Sequence, residues 1–301
     1  MGTKTRPMCC ASGVCHLCPI NSKFTISNEM SGLYQDPRVT MLLEATVQSV
    51  ETSGSVASGV AYEKDNTTHT ARGDLIALGA GALFNPHILL RSGLHHPLLG
   101  KHLHEQVSTT VTVDLDGVDN FQGSTSITGH GYMFYDGAHR AQHAGCLIET
   151  WNIPNLRAER GKWRQRLDMK LIFEVIPTED SYVTINKNNP DLPETVYAGH
   201  SAYTQRAIAQ LPKLVEKVVA PLPVERIHLP DNVNSTEGHI LGTTVMGDDP
   251  VRSIVDRHLV HHKIRNLVVL GGGAFPTSSP ANPTLTLSAL SLWSAHKVFG
   301  S

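Results

Sequence analysis

The chain has 301 residues, 25 Lys+Arg against 27 Asp+Glu for a formal net charge of −2, and 40% hydrophobic against 17% charged residues. That apolar share supports a core and excludes a disordered polyelectrolyte, and the balanced charge excludes a generally basic, phosphate-neutralising surface, so no nucleic-acid partner is expected. No run approaches the ~18 apolar residues of a membrane span, and Met1 to Met8 lacks the apolar core of a secretory signal. The expectation is a soluble chain of about two domains, cytoplasmic by default and periplasmic if exported with a partner.

Four of the five cysteines fall between Cys9 and Cys18, and Cys146 stands alone. A long chain without a signal is not a disulfide scaffold. Two readings of the cluster stay open from spacing: a soft-metal or iron–sulfur ligand set, or a loop of small buried residues, since a free cysteine packs as a small hydrophobe. The 17 histidines include His95-His96, His102-x-His104 and His261-His262. Neighbouring histidines diverge on a regular element, so these read as surface or satisfied polar positions.

In chain order, the β-branched stretch from Arg38 to Gln48 predicts a strand, and Val56–Tyr62 and Thr68–Leu78 continue a β-meander around an Asp65-Asn66 turn. Leu75 to Leu78 is an apolar run that stops at Gly79-Ala80-Gly81, after which Asn85-Pro86 opens a helix through Arg91. Strand, glycine turn and helix form a geometry that offers backbone N–H groups to an anionic or polar ligand. Further strands are predicted over Gln106–Asp116, Ile127–Tyr135, Cys146–Glu149, Asp168–Ile176 and Tyr182–Ile185. A charged helix is predicted over Arg157–Arg166, and one amphipathic helix over Ser201–Val219.

Arg265 to Leu270 is a short apolar strand running into Gly271-Gly272-Gly273. A final helix follows Asn282-Pro283-Thr284 and carries Leu285, Leu287, Leu290, Leu292 and Ala295, with Asn282 as its N-cap. A strand–glycine–helix element at each end predicts that both ends build one α/β domain, with the middle inserted between them.

Three passages together resemble the glucose–methanol–choline family of FAD-dependent oxidoreductases. Gly81-Ala-Leu-Phe-Asn-Pro86 through Ser92-Gly93-Leu94 is similar to the family's second pattern, departing at Asn85 and His95. Gly100-Lys-His-Leu-His104 continues it, with Glu105-Gln106 in place of the customary Asp-His pair. His239-Ile-Leu-Gly-Thr-Thr-Val-Met-Gly247 with Ser253 to Asp256 resembles the catalytic-histidine segment. Phe275-Pro276 through Asn282-Pro283-Thr284-Leu-Thr286 resembles the closing motif, 43 positions on from His239 to Asn282.

The resemblance implies an FAD-dependent oxidoreductase acting on CH–OH groups of a sugar or other alcohol. His239 is implied as the base, because a hydroxyl proton must leave as hydride departs, and Asn282 as the amide that orients the substrate oxygen. FAD contacts are implied at Val47, Gly79, Gly81, Gly272, Gly273, Ala274, Pro283 and Thr284. The cysteine run is similar to that of bacterial sugar dehydrogenase large subunits, which implies an iron–sulfur cluster on Cys9, Cys10 and Cys15. The fold implied is α/β plus α+β: an incomplete FAD-binding domain in residues 1–105, completed by 236–301, with a mostly antiparallel substrate-binding sheet domain in 106–235. The family's opening GxGxxG cradle has no counterpart here. The alternative is therefore a truncated, non-catalytic or split chain that needs a partner polypeptide for FAD, or an electron-accepting one.

Overall fold

The structure, a computed structural model, describes residues 2–12, 15, 18–120, 127–151, 155–234 and 236–300. In chain order its elements are α1 (Ile26–Glu29), β1 (Thr46–Ser53), β2 (Val56–Lys64), β3 (Thr67–Arg72), β4 (Ile76–Leu78) and α2 (Gly81–Arg91). The middle contributes β5 (Val107–Leu115), β6 (Ile127–Phe134), β7 (Cys146–Trp151), β8 (Arg166–Phe173), β9 (Tyr182–Ile185), β10 (Pro193–Val196), α3 (Ala202–Ala209), α4 (Leu211–Val219) and β11 (Val224–His228). The chain closes with β12 (Leu267–Val269) and α5 (Thr284–Phe299).

Two apolar cores organise these elements. The first joins the two ends of the chain: Val50, Ile76, Leu78 and Leu89 pack with Val255, Leu259, Leu267 and Val269. Its centre is the parallel pair β4–β12, with Leu267, Val268 and Val269 opposite Ile76, Ala77 and Leu78. The hairpin sheet β1–β2–β3 packs beside it.

The second core lies under an antiparallel sheet of order β11-β5-β8-β7-β6. Alternation splits this sheet into two chemically different faces. Val107, Val111, Val113, Met169, Leu171, Phe173, Cys146 and Ile148 point to one side and pack with Ala207, Leu211, Leu214 and Val215 of α3 and α4. On the other side Thr110, Lys170, Glu149 and His130 lie in register across four strands.

Several expectations change. The strand expected over Arg38–Gln48 begins only at Thr46, where β1 finds a partner opposite Glu63. Arg157–Arg166 is not a helix but a turn around Gly161 at φ +79. Arg157 is drawn into a carboxylate cluster, 3.0 Å from Glu159 and 2.8 Å from Glu225. The helix over Ser201–Val219 is two helices, because Pro212 lacks the N–H that would continue the first and instead starts α4.

α2 begins at Gly81 rather than Pro86, so Asn85 and Pro86 lie inside it. Asn85 still serves the helix start, since its Oδ1 accepts the Ala80 N–H at 2.9 Å. The N-cap of α5 is Pro283, without a side-chain cap, so Asn282 does not cap that helix. Of α5 only Ser294 is buried, while Leu285, Leu292 and Phe299 are 83%, 73% and 70% exposed. No helix among the described residues is long and apolar enough to cross a membrane.

Candidate active site

Three extended segments lie side by side where the two cores meet. Residues 104–106 run antiparallel to 239–241, with His104 and Leu241 exchanging backbone hydrogen bonds at 3.1 and 2.9 Å. That register sets Gln106 opposite His239. Residues 242–246 then run beside 272–274, through Gly242 N–H to Gly272 O, Thr244 N–H to Gly273 O and Met246 N–H to Ala274 O, at 2.9 to 3.0 Å.

His239 is half-buried, and its ring is held by one residue: Nδ1 lies 2.7 Å from Gln106 Oε1. The backbone beneath it is pinned by Glu105, whose Oε1 accepts from Glu237 N–H at 2.6 Å, His239 N–H at 2.9 Å and the Thr236 hydroxyl at 2.8 Å. Gln106 is fully buried, and its amide nitrogen donates to Ser279 O at 2.7 Å and Ala281 O at 2.6 Å. One side chain therefore grips both His239 and the residue before Asn282. The Asn282 Nδ2 donates at 2.8 Å to Glu149 Oε1 on β7. Glu149 is buried and its Oε1 also lies 3.3 Å from His130 Nε2.

The polar face of the five-stranded sheet is tied to the same place from the other side. Glu237 receives the Ser108 hydroxyl and, at 2.9 Å, the Lys170 ammonium. A cavity of about 270 Å³ opens next to Gln106, lined by Leu83, Leu103, His104, Glu105, Thr195, Tyr197 and Ile240. His104 in its wall has Nδ1 2.7 Å from His102 O and leaves Nε2 buried without a partner. Burial is the main cause that pushes the His104 pKa down, so its ring stays neutral.

The expected cofactor contacts divide into two sets. Gly79 and Gly81 follow β4, at the carboxyl end of the parallel pair where α/β sheets bind ligands. Both have open space where a side chain would stand, and a Cβ on Gly271 would come 3.7 Å from the Gly81 Cα. Asn85 fixes this shelf, since its Nδ2 donates to Leu270 O at 2.7 Å. By contrast the space at Gly242, Gly272 and Gly273 is filled by the protein itself. A Cβ at Gly272 would meet Ile240 O at 2.6 Å, one at Gly242 would strike His102 O, and one at Gly273 the Thr244 hydroxyl. The close approach these glycines permit is thus between chain segments of the site. Ala274 and Pro283 are buried, and Val47 and Thr284 are exposed.

The cysteine ligand set is not assembled. Cys9 and Cys10 are exposed and Cys15 is half-buried, in a stretch without regular structure. Among the described residues no three His, Cys, Asp or Glu side chains gather to hold a metal. As placed, Cys9, Cys10 and Cys15 do not fit an iron–sulfur cluster. Cys18 accepts the Ser22 N–H at 3.1 Å, and that bond is the main cause lowering its thiol pKa. Cys146 is core, and burial pushes its thiol up to about 12.

Gln106, Glu105 and Glu149 were not expected as site residues. The Glu105-Gln106 departure from the family pair was the one sequence signal for the first two. Nothing local marks Glu149, because strand register alone carries it to Asn282.

Comparison with known proteins bears on family and fold. The chain matches the GMC oxidoreductase family over residues 3–108 and, by its second conserved region, over 177–291. It is 26% identical over 282 residues to the C-glycoside 3-oxidase of Arthrobacter globiformis, covering 88% of this chain and 54% of that protein. It is 22% identical over 337 residues to the fructose dehydrogenase large subunit of Gluconobacter japonicus, covering 97% and 60%. It spans little more than half the length of these relatives. An FAD-dependent oxidoreductase from Chaetomium thermophilum has the same fold, with a TM-score of 0.70 at 14% identity over 91% of this chain and 64% of that one. The two matched regions lie in order along a chain that has the same fold as that neighbour, and the chain belongs to the GMC oxidoreductase family.

Proposed function

We propose that the chain oxidises a CH–OH group of a sugar or other polyol to a carbonyl, with FAD as cofactor. The family implies FAD, and the residues fit it: the open space at Gly79 and Gly81, just after β4, leaves room for a planar group. Bound there, FAD supplies the two-electron acceptor for the hydride that leaves the carbinol carbon.

The protein does the rest. The substrate O–H bond breaks toward the His239 imidazole as the C–H electron pair departs, so the ring ends the step protonated. Asn282 spends one amide hydrogen on Glu149 and retains a second, with its carbonyl, for the substrate oxygen. The observation that carries this reading is the Gln106 side chain, which ties the His239 ring and the Asn282 segment into one rigid unit. The polar row Thr110, Lys170, Glu149 and His130 supports a hydroxyl-rich substrate over an aliphatic alcohol. In this reading residues 106–235 form the substrate-binding sheet domain, inserted between the 1–105 and 236–301 parts of the FAD-binding domain.

The test is an absorbance spectrum of the purified chain with added FAD. Flavin bands that bleach on addition of a sugar, and no longer bleach in His239→Ala with FAD still bound, are the expected result. Bound flavin that no polyol reduces overturns the proposal. A second reading, that the site needs a partner polypeptide to hold FAD, is favoured by the exposed Leu285, Leu292 and Phe299 of α5. A chain that ignores FAD alone decides for it.

A further inference from the structure

The Glu105-Gln106 pair departs from the family pattern, and the structure gives that departure a use. We propose that Gln106 is a positioning residue that fixes the tautomer of His239, so that Nδ1 carries the proton and Nε2 presents the lone pair that receives the substrate proton. The inference rests on the functional reading for its purpose, though not for its geometry.

The argument is a count of hydrogens. A primary amide has two N–H donors on nitrogen and only lone pairs on oxygen. Both hydrogens of Gln106 Nε2 are committed, to Ser279 O at 2.7 Å and Ala281 O at 2.6 Å. Turning the amide over would set its oxygen against two carbonyl oxygens, so the network fixes which end is which. The atom facing His239 is therefore Oε1, an acceptor, at 2.7 Å from Nδ1. A neutral imidazole can satisfy that contact only with its proton on Nδ1. Burial of Gln106 keeps water from offering a substitute.

The backbone beneath the ring is anchored as well, since the His239 N–H donates to Glu105 at 2.9 Å. The arrangement follows the logic of catalytic triads, where a third group holds the base in the productive tautomer. Here the third group is neutral, so it sets tautomer and aim without adding charge to the site.

The test reads the tautomer directly, with no flavin needed. In the full chain labelled with nitrogen-15 histidine, the His239 ring signals are assigned by their loss in His239→Asn. At a pH where the ring is neutral, wild type is expected to show a protonated Nδ1 and an unprotonated Nε2. Gln106→Leu, which removes the acceptor oxygen, is expected to lose that pattern. A wild-type His239 protonated on Nε2 overturns the proposal whether or not any variant folds. So does a Gln106→Leu protein, folded by circular dichroism, that retains the Nδ1 proton. In the flavin-loaded protein Gln106→Leu lowers kcat by about a hundredfold, with KM little changed. If wild type shows the stated tautomer yet oxidises no polyol, the functional reading fails and this one stands.

Discussion

Pro86 and Thr243 are coupled through a single carbonyl. Pro86 lies inside α2 and has no N–H for the carbonyl four residues back, that of Ala82. The buried Thr243 hydroxyl donates to that Ala82 oxygen at 2.6 Å. It does so from a left-handed backbone at φ +78, a conformation that costs a β-branched residue about 1–3 kcal/mol. A missing donor in the α2 helix is thus compensated by a strained residue far along the chain.

Thr243→Val, which removes the donor and preserves the shape, is expected to lower unfolding free energy by about 1–3 kcal/mol, because the carbonyl stays buried and unpaired. Pro86→Ala restores an N–H for the same oxygen, so the loss should shrink in that background by about 1 kcal/mol. Urea unfolding of the four proteins in the cycle reads the coupling, and simple additivity refutes it.

Gly242 is fixed by its neighbours as well as by its φ of +83, since a Cβ there would strike His102 O. Gly242→Ala should cost at least about 2 kcal/mol. Gly54 has φ +62 with nothing near its would-be Cβ, so Gly54→Ala should cost only about 1 kcal/mol. Equal melting temperatures for the two variants would show that the backbone at Gly242 relaxes freely.

Stability should fall in mild acid because of His261. Burial, aided by the positive neighbours His262, Lys263, His96 and Arg265, lowers its pKa from 6.5 to about 4. Its Nδ1 accepts from the Lys263 and Ile264 N–H groups at 3.2 and 3.1 Å, so the neutral ring is the one that fits. Between those two pH values the unfolded chain binds the proton and the folded chain does not. The stabilisation is complete above pH 6.5 and drains away as pH falls through 4, by about 3 kcal/mol. Denaturant titrations across this window should show the slope in wild type and a flatter one in His261→Asn, which retains an acceptor.

Glu149 should matter through Asn282, which it holds at 2.8 Å. In flavin-loaded protein Glu149→Leu is expected to reduce kcat about tenfold to a hundredfold, by freeing the Asn282 amide from its aim. Glu149→Gln supplies an acceptor oxygen and should lose far less. Steady-state kinetics that leave the two variants equal would remove Glu149 from this role.

Strands that alternate were readable: β2, β5 and β8 lie where their alternating apolar residues put them, because one apolar face had to be buried. The start of β1 was not, since Val39 and Thr40 have strand chemistry but no partner, and pairing is a long-range fact. The Arg157–Arg166 stretch reads as a helix by charge, yet the ion pairs of a buried Arg157 and a glycine turn outweigh local propensity. The same division holds in the site. His239 and Asn282 stand in short recognisable passages, while Gln106 and Glu149 reach them only through strand register and loop return.

Gln106 is the residue immediately before β5, the second strand of the five-stranded sheet. Any displacement of that strand pulls on the segments of His239 and Asn282 through the same side chain. The two move as a coupled pair, so the spacing between the His239 ring and the Asn282 amide is protected. A displacement of β5 is therefore passed to both side chains together rather than taken up in the gap between them.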